Sequence, residues 1–145
     1  VTAVARAVPL PSERQILRAH DGRAPLAPPA INAEDVIALQ NRAAGVAVDD
    51  ALVDYILAVV EKTRRHESLS LGVSPRGAQA LYRAAQALAL AEGRAFAIPD
   101  DVKRLVVPVF AHRVVINTRV ALAQRTLELA ERILNDILKE VEVPL

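Results

Sequence analysis

The residues best placed to do chemistry are Leu71-Gly72-Val73-Ser74-Pro75-Arg76. Ser is a favoured N-cap and Pro a favoured first helical residue, so the string reads as a helix start with Arg76 in its second position. A helix N-terminus attracts anions through its free N–H groups and its dipole, and an arginine there adds a forked, permanently charged donor. Cations are disfavoured at that end for stability alone, which makes an external anion such as a nucleotide phosphate one explanation of Arg76. The other explanation is a guanidinium that faces solvent or pairs with a neighbouring acid. Ser-Pro-Arg is a short and common string, and spacing alone favours this second reading.

No self-sufficient active site accompanies it. A P-loop needs a Gly-Lys step so that backbone N–H groups and a lysine converge on phosphates, and Lys62, Lys103 and Lys139 do not follow glycine. His20, His66 and His112 are far apart, without metal-ligand spacing, and no metal site is expected. No G-x-S-x-G elbow occurs, and the absence of cysteine removes both a Cys–His pair and a disulfide framework. The acid pairs Asp49-Asp50 and Asp100-Asp101 fall at helix starts, where capping explains them better than catalysis. Arg64-Arg65-His66 reads as a helix C-terminus complemented by its dipole. Arg83, seven residues after Arg76, shares its helix face and reads as a solvated side chain.

The elements that must position Arg76 are helical. With 52% apolar but only 3% aromatic residues, the core of this 145-residue chain has to be built from Ala, Val, Leu and Ile, which favours closely packed helices. The spacing predicts a short helix after Ser12, a Pro/Gly loop over 20–31, and a helix from Asn32 to Ala44. A further helix follows from Asp49 or Asp50, with Leu52, Tyr55, Ile56, Val59 and Val60 as its buried stripe. The Ala/Leu-rich helix opened by Ser74-Pro75 is apolar on nearly every side, so it should be central; Gly93 closes it. Pro99-Asp100-Asp101 opens the next helix, interrupted by Pro108, and a final helix runs from Thr126 to about Glu140 with Leu127 on its apolar side. The expected fold is all-α, a compact bundle of five or six helices over 11–145. Residues 1–10 alternate loosely and read as a remnant of a strand or linker, since no partner strand is evident.

The run from Gly72 to Val115 resembles the C-terminal helical lid of MoxR-type AAA+ ATPases. The shared features are G-x-SPR at Gly72 to Arg76, the turn Gly93-Arg94, the PDDV start at Pro99 to Val102, and His112-Arg113. Glu13 to Leu17 is similar to the first lid helix, and Glu142 to Leu145 to a short Val/Pro-rich tail. One departure is Ile98, which stands where family members commonly carry a capping Thr; that end is expected to be frayed or capped by Asp100.

The resemblance implies that Arg76 is the sensor-2 arginine, reaching the γ-phosphate of ATP, with Ser74 and Pro75 fixing the helix start and Ile16 packing on the adenine. It implies ATP with Mg2+ as cofactor of the full-length protein, and as partners its own core domain and neighbouring subunits of a ring, expected to be a hexamer. A protein with a von Willebrand factor A domain and a chaperone-like remodelling role are further implications. The fragment alone is expected to be inactive, because the family's Walker A and Walker B motifs belong to the preceding core domain.

Two rival readings remain on sequence alone: a histone-fold-like DNA-binding module and an adaptor bundle without nucleotide function. The net charge of +1, with both signs interspersed, speaks against nucleic acid and against a membrane surface. No signal peptide and no membrane-spanning run are evident, and a reducing cytoplasm is the simple expectation.

Overall fold

The computed structural model describes residues 30–117 and 126–144, in which five helices and a two-stranded ribbon are found. The expected strand or linker over 1–10, the helix after Ser12 with Ile16, and the loop over 20–29 lie outside the described residues.

Helix α1, Ala33–Ala44, carries Glu34 and Asp35 in its first turn and Arg42 in its last, which suits its dipole. Helix α2, Asp50–Arg65, starts at the N-cap Asp49, whose carboxylate accepts from the Ala51 N–H at 2.9 Å. Leu52, Tyr55, Ile56, Val59 and Val60 are all buried, as their 3.6-residue spacing predicts. Helix α3, Pro75–Ala91, is capped by Ser74 and has Pro75 in its first position. It ends in a Schellman turn: Gly93 adopts φ 76°, its N–H bonds the Leu90 carbonyl, and the Arg94 N–H bonds the Ala89 carbonyl, both at 2.9 Å. Helix α4, Pro99–Phe110, continues past Pro108, which faces solvent two residues before the helix ends. Helix α5, Thr126–Glu140, buries Ala130, Ile133, Leu134 and Ile137, whereas Leu127, though it shares their spacing, is exposed.

Helix α3 is central, packing against α1, α2 and α4, while α5 closes the core against α2 and α4. Leu81, Ala85 and Ala89 of α3 meet Val102, Val106 and Phe110 of α4 and Leu134 of α5 in one cluster. No aromatic larger than Phe110 and Tyr55 is buried in it, so small side chains set the close approach. The ribbon pairs β1, Leu69–Leu71, antiparallel with β2, Val115–Ile116. Strands this short carry no readable alternation, and the sequence offers no sign of them.

Two polar devices hold the connections. The buried Gln86 of α3 donates to the Val46 carbonyl at 2.8 Å and the Ala44 carbonyl at 3.3 Å, satisfying backbone at the end of α1. At the α3–α4 turn, Asp101 is 1% exposed and is gripped by both Nη atoms of Arg94, at 2.6 and 2.8 Å. The same carboxylate accepts from the Ile98 N–H at 2.9 Å, so the start of α4 is capped from its third residue. The expected cap, Asp100, is corrected by this geometry: Asp100 faces solvent and pairs with Lys103 at 3.2 Å.

Burial pushes the Asp101 carboxyl upward, but the Arg94 fork and the Ile98 N–H outweigh it and leave its pKa below the ordinary value. A depressed folded value adds stability above the unfolded carboxylate pKa of about 3.9, lost as pH falls through the folded value. Arg94→Ala is expected to lower the urea midpoint clearly, because it removes the ion partner of a buried carboxylate. Asp101→Asn should remove part of the acid loss of stability below about pH 4, measurable by unfolding the variant and parent side by side.

Candidate functional site

The site is built around the loop that leads from β1 into α3. Gly72 lies against the end of α2 so closely that a Cβ would stand 2.6 Å from both the N and the Cα of Arg64. Only glycine permits this approach. Val73, fully buried, has both of its backbone groups held by α2: its N–H bonds Thr63 Oγ1 at 3.0 Å and its carbonyl accepts from Arg64 Nε at 2.9 Å. Thr63, itself buried, donates its hydroxyl to the Val60 carbonyl at 2.6 Å, which fixes the acceptor lone pairs toward Val73.

Ser74 then caps α3. Its Oγ accepts from the Gly77 N–H at 3.3 Å, and its carbonyl accepts from Gly77 and Ala78 at 2.9 and 3.1 Å. Pro75, lacking an N–H, occupies the first position at no hydrogen-bonding cost. Arg76 follows, exposed, with no hydrogen-bond or ion-pair partner among the described residues. The alternative of a pairing with a neighbouring acid is therefore not what the structure contains among these residues. Gly77 is buried, and the space where its Cβ would sit is taken by Val73 Cγ1 at 2.6 Å, with Arg113 Cδ in van der Waals contact at 3.4 Å.

Two motifs distant in sequence thus meet: Ser74-Pro75-Arg76-Gly77 at the start of α3 and His112-Arg113 just past the end of α4. Arg113 donates from Nη1 to the Val109 carbonyl at 2.5 Å and touches the His112 ring, while its N–H bonds the Phe110 carbonyl at 2.8 Å. The run Arg64-Arg65-His66 is satisfied locally: Arg64 by Val73, Arg65 by Glu61 at 2.6 Å, and the His66 ring by the Ser68 N–H at 3.2 Å. Arg83 is exposed two turns along α3 from Arg76 and lines a mostly apolar groove of about 330 Å3 between α2 and α3, with Ile56, Leu57 and Tyr82. Ile16 lies outside the described residues. Among the described residues no group of His, Asp and Glu has metal-binding geometry, and no helix is long and apolar enough to cross a membrane.

Sequence reasoning missed Thr63, Arg64, Gly77 and Arg113 as the frame of this loop. One signal was available for Gly77: glycine in an otherwise Ala-rich helix costs about 1 kcal/mol against Ala, and such a residue calls for a packing reason.

Residues 61–137 match the model of the AAA lid domain family. The uncharacterized protein YeaC of Bacillus subtilis is 41% identical over 116 residues, covering 80% of this chain and 35% of that protein. The chaperone MoxR1 of Mycobacterium tuberculosis is 36% identical over 141 residues, 91% of this chain and 37% of that protein. The chain therefore spans little more than a third of the length of these relatives. The crystal structure of a presumptive ATPase from Cytophaga hutchinsonii superposes with a TM-score of 0.75 at 23% identity, covering 97% of this chain and 45% of that one, a likeness of fold.

Replacing Gly72 by Ala is expected to cost about 1–3 kcal/mol, because the new methyl meets backbone that cannot swing away. Thr63→Val, which keeps the shape but strands the Val73 N–H, should cost a similar amount. Denaturant unfolding measures both, and an unchanged midpoint for Gly72→Ala would show that the close approach is not rigid.

Proposed function

Since this chain belongs to the AAA lid domain family and is the helical lid of a MoxR-type AAA+ ATPase, we propose that it senses nucleotide through Arg76. The observation that carries this reading is an exposed guanidinium without a partner among the described residues, at the second position of α3, on a helix start packed against α2 and the end of α4. An unbraced surface arginine would lose side-chain entropy and gain little on meeting a phosphate. A braced helix start offers the fork, the helix dipole and a fixed approach together.

In the full-length protein the ligand is ATP with Mg2+, and Arg76 takes the role of the sensor-2 arginine toward the γ-phosphate. The nucleotide supplies the transferring phosphoryl group, whose charge a guanidinium stabilises. Ser74 and Pro75 hold the helix start, and Ile16 is the residue proposed to pack on the adenine. Because the lid reads the nucleotide from outside the P-loop domain, its angle to that domain follows the nucleotide state. That coupling serves the assembly of a ring, proposed as a hexamer, and chaperone-like remodelling of protein partners, among them a protein with a von Willebrand factor A domain.

Arg76→Ala in the full-length protein is expected to lower ATP turnover about tenfold or more, the worth of a charge-assisted hydrogen bond of roughly 1.5–3 kcal/mol. Unfolding stability should move by no more than about 0.5 kcal/mol, since an exposed and unpaired side chain supports no packing. Unchanged turnover would instead favour an adaptor bundle without nucleotide function. The 145-residue chain by itself is expected neither to hydrolyse ATP nor to bind it with micromolar affinity, and titration calorimetry decides the second point.

A further inference from the structure

We propose that Arg113 is a positioning residue for Arg76, setting the direction of the first turn of α3 from the far end of α4. The inference rests on the nucleotide-sensing reading of Arg76 and concerns a residue that touches Arg76's neighbour rather than the nucleotide. Three observations carry it. The Arg113 stem fills the space beside Gly77, the residue immediately after Arg76, where any Cβ would lie 3.4 Å from Arg113 Cδ. The stem is directed by its ends: its guanidinium donates to the Val109 carbonyl and its backbone N–H to the Phe110 carbonyl, two acceptors that the end of α4 leaves open. On the same face Gly77 meets the Val73 side chain, whose backbone is fastened to Thr63 and Arg64.

The first turn of α3 therefore packs, on the Gly77 face, against α2 through Val73 and against the end of α4 through the Arg113 stem. Removing the Arg113 stem lets the turn relax toward the gap it leaves, and Arg76, one residue away on the same turn, moves with it. A shift of about 1 Å in a group that must meet a transferring phosphoryl is enough for a loss of up to about 100-fold. Two functions sit in one side chain, and they separate by substitution. The guanidinium caps α4 and so supports stability; the methylene stem stands against Gly77 and so sets geometry.

The test measures KM for ATP, kcat and melting temperature in the full-length protein for Arg113→Ala, Arg113→Met and each combined with Arg76→Ala. Arg113→Ala loses both functions, so a lower melting temperature and a kcat/KM reduced about fivefold or more are expected. Arg113→Met loses the cap but keeps an unbranched stem. Its melting temperature should fall similarly, while kcat/KM stays within about twofold of the parent, by the same geometric argument. In the Arg76→Ala background neither change should reduce kcat/KM further, because the residue being positioned is gone.

A kcat/KM that follows melting temperature in both variants would overturn the proposal, as would a loss that persists undiminished without Arg76. Should the alanine variant fail to fold, a methionine variant as impaired as Arg76→Ala overturns it equally. The two levels of inference fail differently: if Arg76→Ala leaves turnover intact, the nucleotide-sensing reading falls; if Arg76→Ala acts and Arg113→Ala does not, only the positioning role falls.

Discussion

A carboxylate buried to the extent of Asp101 stays ionised only if its partners replace the water it has lost, and most of the geometry of this lid follows from how that is done. The replacement comes from Arg94, whose fork meets both oxygens, and from the Ile98 N–H. Arg94 is in reach because the Schellman turn places it directly after Gly93, in a conformation with positive φ that glycine adopts without strain. Glu92 extends the arrangement by pairing with Arg94 and Arg104, and its carboxyl is held below its ordinary pKa chiefly by the hydrogen bond from Arg94. One turn thus fixes how α4 departs from α3, and with it where α4 ends.

That ending matters at the opposite pole of the helix pair. Because α3 and α4 run back along one another, the carbonyls and the arginine at the end of α4 arrive beside the first turn of α3. The end of α2 arrives there as well, and the β1–β2 ribbon ties the strand that enters α3 to the strand that leaves α4. Here the scaffold and the functional group are distinct. Thr63, Gly72, Val73, Gly77 and Arg113 are all engaged with one another or with backbone, while Arg76 has no partner among the described residues. Such a division lets a site be rigid without its key residue contributing to stability.

Much of this was legible from residue types. The stripe from Leu52 to Val60, the Ser74-Pro75 helix start and the Gly93 stop each express a local rule, and each appears where the rule puts it. The central place of α3 follows from an apolar surface too wide for one neighbour. The illegible parts are those set by distance through space. Asp100 and Asp101 look alike in sequence, and only the arrival of Arg94 decides which one is buried. Leu127 has the spacing of a core residue but lies a turn before α5 meets its neighbours, so it remains exposed. Gly72 and Gly77 gave no hint of their neighbours, since those lie in α2 and beyond α4.

The fastening of the α3–α4 pair at both poles has a mechanical consequence. A 17-residue helix such as α3 is about 25 Å long at 1.5 Å per residue. Packed at one end against Val73 and Arg113 and tied at the other by the Asp101 fork, the α3–α4 pair is joined at both poles and can act as a lever. A rotation of about 5° at the Arg76 pole would carry the Gly93 turn through roughly 2 Å on that length. A small motion at the helix start therefore becomes a larger displacement at the distal turn, by length alone.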